Sequence, residues 1–442
     1  MSFTLLGILN SQAAGGGGSA FNTWLAAFRD SDWTLASNGV GNRNLPMFSG
    51  TGRWSGVDEG IYVRYDADGA ITTGQRVTST GVTDDRIYGK SSDYDGTYIY
   101  YAADDEDSGY SSPSIGKFDA SDDTIVWSRK IDFGGNTKVN TALPQTVCVN
   151  DSGDVALVAR LEVPSNDLVC MVWNSAGTLQ WAYKYDAEFA FLDQMTLATD
   201  GTDFFIAANY DDSSRTAEIT KVSAADGSIS WSRRVGTALQ LLQNPCVVYN
   251  SVDETVHLIY ADYVVAGFGL GVLTLNATTG ATISHKTITG TGIESDPSAQ
   301  IDADGNLIIC GTSETITSFD PSSGTVNWFI KATAVNGSLQ IRGGSCDTTN
   351  DVALVYGRIN DANETSDDWN FTWVLPVDGS FTGTYTLFGT CQVTFTSDTT
   401  SVADATYTVS AGDFSAVSVS YTESAGLMSR VANTYLENVV AV

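Results

Sequence analysis

Short runs of apolar and β-branched residues alternate with polar turns along most of the chain. Residues 98–101, 155–158 and 307–310 are examples, and the turn at Asp95-Gly96 precedes the first of them. Asn-Gly and Asp-Gly between apolar runs indicate β-hairpins, because tight hairpin turns need positive φ angles. Apolar residues spaced for an amphipathic helix are nearly absent between these turns. The pattern therefore predicts an all-β protein.

A longer repeat is superimposed on the hairpins. Four times along the chain a Trp follows a turn by four residues, and three further turns of this series lack the Trp. Successive turns of the series are 44 to 55 residues apart. A second series of turns interleaves with the first, so each unit of about 50 residues contains two hairpins. The four Trp residues are Trp127, Trp181, Trp231 and Trp328.

Seven units of two hairpins predict a β-propeller with seven four-stranded blades. A large flat side chain fits between neighbouring sheets, so we predict that the repeated Trp residues pack blade against blade. We expect an anchor peptide and Gly-rich tether at 1–20, the propeller at 21–390 and a C-terminal β extension at 391–442. The alternative is eight blades, in which the C-terminal strands and the N-terminal strand around Trp24 form a closing blade.

Basic residues recur seven residues after the turns of the first series, in a chain with only 22 Lys and Arg residues. The strand that carries them is the fourth of each unit and is predicted to be the exposed outer edge of its blade. Charges on an edge strand hinder pairing between sheets of different molecules. The recurring residues are Arg76, Lys130, Lys184, Arg234 and Lys331, with Lys286 six residues after its turn.

The Gly-x-x-x-Trp repeat resembles that of the quinoprotein-like propeller superfamily, which contains pyrroloquinoline quinone enzymes and their cofactor-free relatives. The resemblance covers about residues 24–390 and implies a ring of four-stranded blades. A quinone site needs a cation-lined pocket with aromatic stacking, and no residues in this sequence single out such a pocket. We therefore predict a propeller without a cofactor.

The charge balance excludes several classes of function. Asp and Glu number 52 against 22 Lys and Arg, which gives a formal net charge of −30. Nucleic-acid binding needs clustered cations, so no nucleic-acid partner is expected. No apolar run approaches the roughly 20 residues of a membrane-spanning helix, so no membrane insertion is expected. The six cysteines form no Cys-x-x-Cys pair, and we predict that they are buried free thiols.

Candidate chemistry is sparse. Both histidines, His257 and His285, lie in strand-like runs, which argues against a Ser-His-Asp triad or a His-rich metal site. No catalytic residues stand out, so we predict that the chain is not an enzyme; the alternative is a carboxylate-dependent enzyme acting on polysaccharides. Acidic loops opposite the short turns are candidate Ca²⁺ ligands, although their spacing matches no calcium motif. These acids are Asp104, Asp105, Glu106, Asp107, Asp367 and Asp368.

The N-terminus predicts an attachment peptide. Its apolar residues suffice for a two-turn helix, which is marginal alone in water and needs a partner surface. Residues 15–18 are all Gly and form a flexible tether. This start resembles the short apolar N-termini, followed by Gly-rich stretches, of some virion proteins of tailed phages, marine ones especially. The predicted docking residues are Phe3, Leu5, Leu6, Ile8 and Leu9.

Together these features predict a non-enzymatic structural or display protein of a phage virion, as a tail, fibre or capsid-surface component. Residues 1–20 dock on other virion proteins, and copies of the chain form a homo-oligomer within the assembly. The propeller then contacts a host-surface glycan or receptor. The expected location is the virion, with an extracellular location as the alternative. A cellular propeller that scaffolds other proteins is a further alternative.

Overall fold

Seven antiparallel sheets are formed by the part of the chain that the structure describes, and these residues include no helix. The structure is a computed structural model. It describes residues 24–30, 47–54, 57–65, 70–79, 86–107, 110–132, 139–140, 147–161, 167–186, 195–210, 216–236, 242–262, 269–289, 297–311, 314–347, 352–361, 369–388, 391–398, 400–404, 409–411, 415–418, 422–425, 428–432 and 436–441.

Up to residue 376, most strands pair antiparallel with the next strand of the same sheet, with turns where the sequence predicts them. In chain order they are β1 (Trp24–Asp30), β2 (Met47–Trp54), β3 (Val57–Tyr65), β4 (Ile71–Ser79), β5 (Arg86–Tyr94), β6 (Tyr98–Asp107), β7 (Tyr110–Asp119), β8 (Ile125–Asp132), β9 (Val139–Asn140), β10 (Val147–Val149), β11 (Val155–Leu161), β12 (Asp167–Trp173), β13 (Leu179–Asp186), β14 (Met195–Thr199), β15 (Phe204–Tyr210), β16 (Thr216–Val222), β17 (Ile229–Val235), β18 (Leu242–Asn250), β19 (Thr255–Asp262), β20 (Gly269–Asn276), β21 (Thr282–Thr289), β22 (Ser298–Ile301), β23 (Leu307–Gly311), β24 (Thr315–Asp320), β25 (Thr325–Ala334), β26 (Gly337–Asp347), β27 (Val352–Asp361) and β28 (Trp369–Pro376).

These strands form seven blades, which we number along the chain. Blade 1 contains β2–β4, blade 2 β5–β8, blade 3 β10–β13 with β9 beside β11, and blade 4 β14–β17. Blade 5 contains β18–β21, blade 6 β22–β25, and blade 7 β26–β28 together with β1. The main strands of blades 1 to 6 lie in sequence order, as in a β-propeller. The predicted all-β propeller is therefore confirmed.

The N-terminal strand closes the ring. β1 pairs with β28 as the fourth strand of blade 7, with Ala26 opposite Thr372. The first and last parts of the propeller therefore share one sheet. The turn at Asp378-Gly379 does not lead into this fourth strand, although its sequence matches the turns that do so in other blades. The strand after it instead joins the outer side of blade 6.

The C-terminal strands lie on the outside of the blades. They are β29 (Gly383–Phe388), β30 (Cys391–Ser397), β31 (Ser401–Asp404), β32 (Val409–Ala411), β33 (Ser415–Ser418), β34 (Thr422–Ala425), β35 (Met428–Ala432) and β36 (Leu436–Ala441). β30 pairs with β25 of blade 6, β31 with β21, β32 with β17, β33 with β13, β34 with β8, β35 with β4 and β36 with β1. We call residues 391–441 the rim segment.

The rim segment corresponds to neither arrangement expected for residues 391–442. In the described part of the chain it forms no separate extension and no eighth blade; its strands are distributed over all seven sheets. The physical reason is that the outer strand of every blade has one unpaired edge of backbone donors and acceptors, and a short antiparallel strand satisfies them.

The repeated Trp residues lie between neighbouring blades. Each indole Nε1–H donates a hydrogen bond to a backbone carbonyl in the turn that follows the third strand of the next blade. The pairs are Trp127 to Ser175 (3.2 Å), Trp181 to Ala224 (2.8 Å), Trp231 to Ala277 (3.1 Å) and Trp328 to Val377 (2.6 Å). A hydrogen bond at the indole edge gives direction to a contact that is otherwise hydrophobic packing.

The glycine of the same turn lets the neighbouring blade approach the ring. Gly280 has a φ of +65°, and a Cβ atom at this position would lie 2.6 Å from the Trp231 ring. A Cβ atom at Gly379 would likewise lie 2.5 Å from the Trp328 ring. Both the positive φ and the close approach require glycine.

Two blades without the Trp use cations at this contact. In blade 1, Arg64 donates to the carbonyl of Ala120 and pairs with Asp123 at 2.7 Å in the turn of blade 2. In blade 5, Ser284 occupies the Trp position, and the aliphatic chain of Lys286 lies against Gly324 of blade 6. The repeat therefore tolerates different side chains as long as the turn of the next blade is contacted.

A second ring of contacts joins the inner strands. Polar side chains there form hydrogen bonds with the backbone of the following blade. Asn150 Nδ2 donates to Thr202 O at 3.0 Å, and Thr196 Oγ1 accepts from Val247 N–H at 2.9 Å. The residues with this role are Ser91, Asn150, Thr196, Asn250 and Ser298. Between the two rings, apolar clusters extend across adjacent sheets.

We expect Gly280→Ala to destabilise the protein more than Gly96→Ala. Both glycines have positive φ, so the backbone strain of the two alanines is similar, but a Cβ at Gly96 meets no atom within 4 Å. The extra cost of displacing the Trp231 ring is about 1–3 kcal/mol in the free energy of unfolding. Denaturant titration measures both variants. Equal losses would show that the blade contact adjusts without cost.

Candidate functional site

One face of the ring is built from short, rigid turns. Turns between first and second strands and between third and fourth strands lie on this face, where Ala120 N–H donates to Thr97 O at 3.0 Å. In the outer turns an Asp or Asn carboxylate or amide oxygen accepts a backbone N–H two or three residues later. These residues are Asp122, Asn174, Asp226, Asn276, Asp320 and Asp378. We call this surface the turn face.

Cations near the turn face are held by its acids. Lys221 Nζ lies 2.6 Å from Asp200 and 3.5 Å from Asp203. Burial alone would raise the pKa of Asp200, but hydrogen bonds from Lys221 and from the backbone N–H groups of Asp203 and Thr202 outweigh it and lower the pKa. Asp200 therefore stays ionised as a structural partner of Lys221.

The predicted calcium ligands do not form a described site. Asp104, Asp105, Glu106 and Asp107 are the end of strand β6 and pair in register with β7, so they are not in a loop as the sequence analysis expected. An extended strand does not gather successive residues around one point. Asp367 and Asp368 lie outside the described residues. In the described ranges, no group of three or more His, Cys, Asp or Glu residues is arranged to hold a metal ion.

The predicted docking residues Phe3, Leu5, Leu6, Ile8 and Leu9 also lie outside the described residues. The attachment role of residues 1–20 therefore stays a prediction. Within the described residues, no helix has the length and apolar character needed to cross a bilayer.

The nucleophilic and basic side chains of the core are shielded from solvent. All six cysteines are buried free thiols, as predicted, and burial raises the pKa values of Cys246 and Cys310 to about 12. His257 is buried between Thr255 and Thr274, whose hydroxyls lie 3.1 Å from its two ring nitrogens. Burial lowers the pKa of His257 to about 3, so the imidazole is neutral at physiological pH. His285 Nε2 lies 2.5 Å from the Tyr260 hydroxyl.

The recurring cations lie opposite the rim segment. The prediction that their strands are exposed outer edges is wrong, because the outer side of each strand pairs with the rim segment. Lys286 is directly opposite Asp404, and Lys130 is opposite Ser424. In blade 4, Arg234 Nε also lies 3.3 Å from the fully buried Glu218. These cations therefore lie on strands whose outer edges are paired, and the Lys331 side chain is nevertheless exposed.

The rim segment has a sequence signal of its own, which is separate from the hairpin turns and the Trp repeat. Tyr407, Phe414, Tyr421, Met428 and Tyr435 follow one another at intervals of seven residues. Strands are recognised by a period of two and helices by a period of 3.6, and a period of seven in a β-rich segment corresponds to neither. The spacing acquires meaning only once the blades that the segment crosses are known.

The repeat architecture agrees with a known sequence family. The family described as outer membrane protein assembly factor BamB matches residues 111–356. This span exceeds half of the 442 residues, and the chain belongs to that family. The resemblance to quinoprotein-like propeller repeats is thereby confirmed. No curated protein matches the chain in sequence.

Several solved structures are similar to the chain at low identity. The WD40 β-propeller domain of Doa1 is 12% identical with a TM-score of 0.41, over 78% of this chain and 96% of that chain. Sqt1 of Chaetomium thermophilum, bound to the N-terminus of the ribosomal protein L10, is 10% identical with a TM-score of 0.44, over 79% and 98%. Quinohemoprotein alcohol dehydrogenase of Comamonas testosteroni is 10% identical with a TM-score of 0.45, over 83% and 78%. At these identities and scores, no functional statement about this chain follows from them.

We expect the free energy of unfolding to fall as the pH is lowered from 6.5 to 5. The unfolded chain protonates His257 with an ordinary pKa near 6.5, whereas the folded chain does not do so until about pH 3. The stability from this group is therefore present above pH 6.5 and is lost on acidification, by at most about 1.4 kcal/mol per pH unit. His257→Gln should flatten this slope in denaturant titrations at several pH values. The same slope in both proteins would contradict the assignment.

Proposed function

We propose that this chain is a non-enzymatic scaffold, a rigid propeller that binds other proteins within a larger assembly. The observation that carries the proposal is the completed ring: an N-terminal strand closes blade 7, and the rim segment pairs with the outer strand of all seven blades. Such a ring presents a fixed surface on which partners can be placed. The family described as an assembly factor supports the same role.

The chemistry of the described core supports a binding role. Its thiols are buried, burial raises the pKa values of Cys246 and Cys310, and the imidazole of His257 is buried and neutral. General acid–base catalysis needs groups that reach a substrate and titrate near the working pH. These groups do neither, and they stabilise the ring instead.

The specific assembly that we propose is a virion, to which residues 1–20 attach the propeller. Support comes from the apolar positions Phe3, Leu5, Leu6, Ile8 and Leu9 and from the Gly tether that follows them. The partners are then other virion proteins and a host-surface glycan or receptor, with the chain present in several copies. A cellular envelope assembly factor is the second candidate, favoured by the description of the family.

We expect deletion of residues 2–14 to abolish incorporation into particles while leaving the ring folded. The deleted residues precede β1 and take part in none of the described sheets. Co-sedimentation with particles from the same genome measures incorporation, and thermal unfolding measures the ring. A matched variant with Phe3→Ser and Leu6→Ser should show the same loss. Unchanged incorporation would contradict the virion role, and recovery in a cell-envelope fraction would favour the second candidate.

We expect the purified chain to bind host-surface glycans or receptors without cleaving them. Chromatography of the glycans after incubation checks for new reducing ends. Cleavage that is lost when acidic residues of the ring are replaced by their amides would overturn the non-enzymatic proposal in favour of a polysaccharide-active enzyme.

A further inference from the structure

The strands of the rim segment follow the ring in the direction opposite to the order in which the chain forms the blades. The segment starts on blade 6, continues through blades 5, 4, 3, 2 and 1, and ends on β1 of blade 7. Each blade receives one short strand of three to seven residues. The outer edges of the blades are therefore occupied by successive pieces of one continuous peptide.

The pairing has the same register in every blade. In blades 1 to 4 and in blade 6, one residue of the rim segment lies directly opposite the recurring cation. In blade 5 the equivalent position, seven residues after the turn, is Thr287 rather than Lys286, and in blade 7 the corresponding residue is Phe28. Along the rim segment the residues at this register are Thr396, Ala403, Ser410, Val417, Ser424, Val431 and Asn438. Successive residues of this set are seven positions apart throughout.

The spacing has a simple geometric cause. Seven extended residues span at most about 23 Å, since each contributes about 3.3 Å. One unit must both pair with an outer strand and reach the next blade within this length. A unit of fixed length therefore delivers its successor to the same register on the neighbouring blade.

The side chains of the rim segment do not explain why one unit belongs to one blade. The residues at the common register include Thr, Ala, Ser, Val and Asn, whereas their partners on blades 1 to 4 and 6 are all Lys or Arg. Residues 391–442 contain five acidic residues and a single basic one, Arg430. Charge attraction therefore favours docking of the segment as a whole, and backbone pairing gives the register.

We propose that β4, β8, β13, β17, β21, β25 and β1 are seven equivalent strand-addition sites, and that the rim segment is a series of interchangeable seven-residue units that bind them. The ligand class of each site is an extended peptide unit of this length, here supplied by the chain itself. The units are matched to blades by their position along the segment. This inference does not depend on the proposed function.

Removing one unit separates this proposal from blade-specific docking. Deletion of residues 412–418, which include β33, should shift β34 to blade 3, β35 to blade 2 and β36 to blade 1. The strand left without a partner on its outer side is then β1, which is three blades away from the site of the change along the path of the rim segment. Replacing residues 412–418 with Gly and Ser at the same length keeps all other units in place, so only β13 should lose its partner.

Hydrogen exchange of the full-length variants, resolved by peptide, measures which outer strand is uncovered. In the deletion variant, the outward-facing amides of Trp24–Asp30 should exchange at least about tenfold faster, while Leu179–Asp186 keeps its protection. In the replacement variant, Leu179–Asp186 should become less protected from hydrogen exchange, and Trp24–Asp30 should keep its protection. Strand β12 (Asp167–Trp173), which is interior to blade 3, reports that the ring is folded in both.

Loss of protection at Leu179–Asp186 in both variants would overturn the proposal, because it would mean that each unit binds its own blade only. If the deletion variant does not fold, a variant with residues 412–418 duplicated distinguishes interchangeable units from blade-specific ones. The added unit should leave every outer strand covered and should expose only Leu436–Ala441, which then has no blade to bind. Protection of Leu436–Ala441 in that variant would also overturn the proposal.

Discussion

Contact between neighbouring blades is the interaction on which the rest of this structure depends. A single four-stranded sheet has two apolar faces, and the hydrophobic clusters of this protein extend from each sheet to the next. The indole of Trp231 shows how the contact is made specific, because its N–H donates to Ala277 in the turn of the following blade. Since every blade needs a neighbour on both sides, the sheets are stable together only as a closed ring.

Ring closure explains why the two ends of the described chain meet in one sheet. β1 supplies the fourth strand of blade 7, and β36 pairs with its outer side. The rim segment extends the same principle to every blade, because an uncovered outer strand would present unpaired backbone groups to other molecules. The recurring cations were predicted to protect exposed edges. They instead lie on strands whose outer edges pair with the rim segment.

The buried polar groups follow from the same architecture. Antiparallel strands stacked face to face leave little solvent access, so His257 is neutral between two Thr hydroxyls, and burial raises the pKa values of Cys246 and Cys310. A core of this kind favours rigidity over chemistry. It suits a member of the BamB family whose proposed role is to hold other proteins.

The amino-acid sequence by itself determined the turns and the repeat, and it limited the propeller to seven or eight blades. Asp122, Asn174 and the glycines at positive φ act on residues within a few positions of themselves, so their effect is visible in a short stretch of sequence. The Trp repeat was visible for the same reason, since it recurs at a fixed distance from each turn. The tertiary structure alone decided which strands pair over long distances. Nothing in the composition of β1 names β28 as its partner, and a rim strand as short as Val409–Ala411 has too few side chains to specify a site. The blade to which this strand binds depends on the unpaired backbone groups of the outer strand and on the length of chain that leads to it. Both are defined only once the ring has formed.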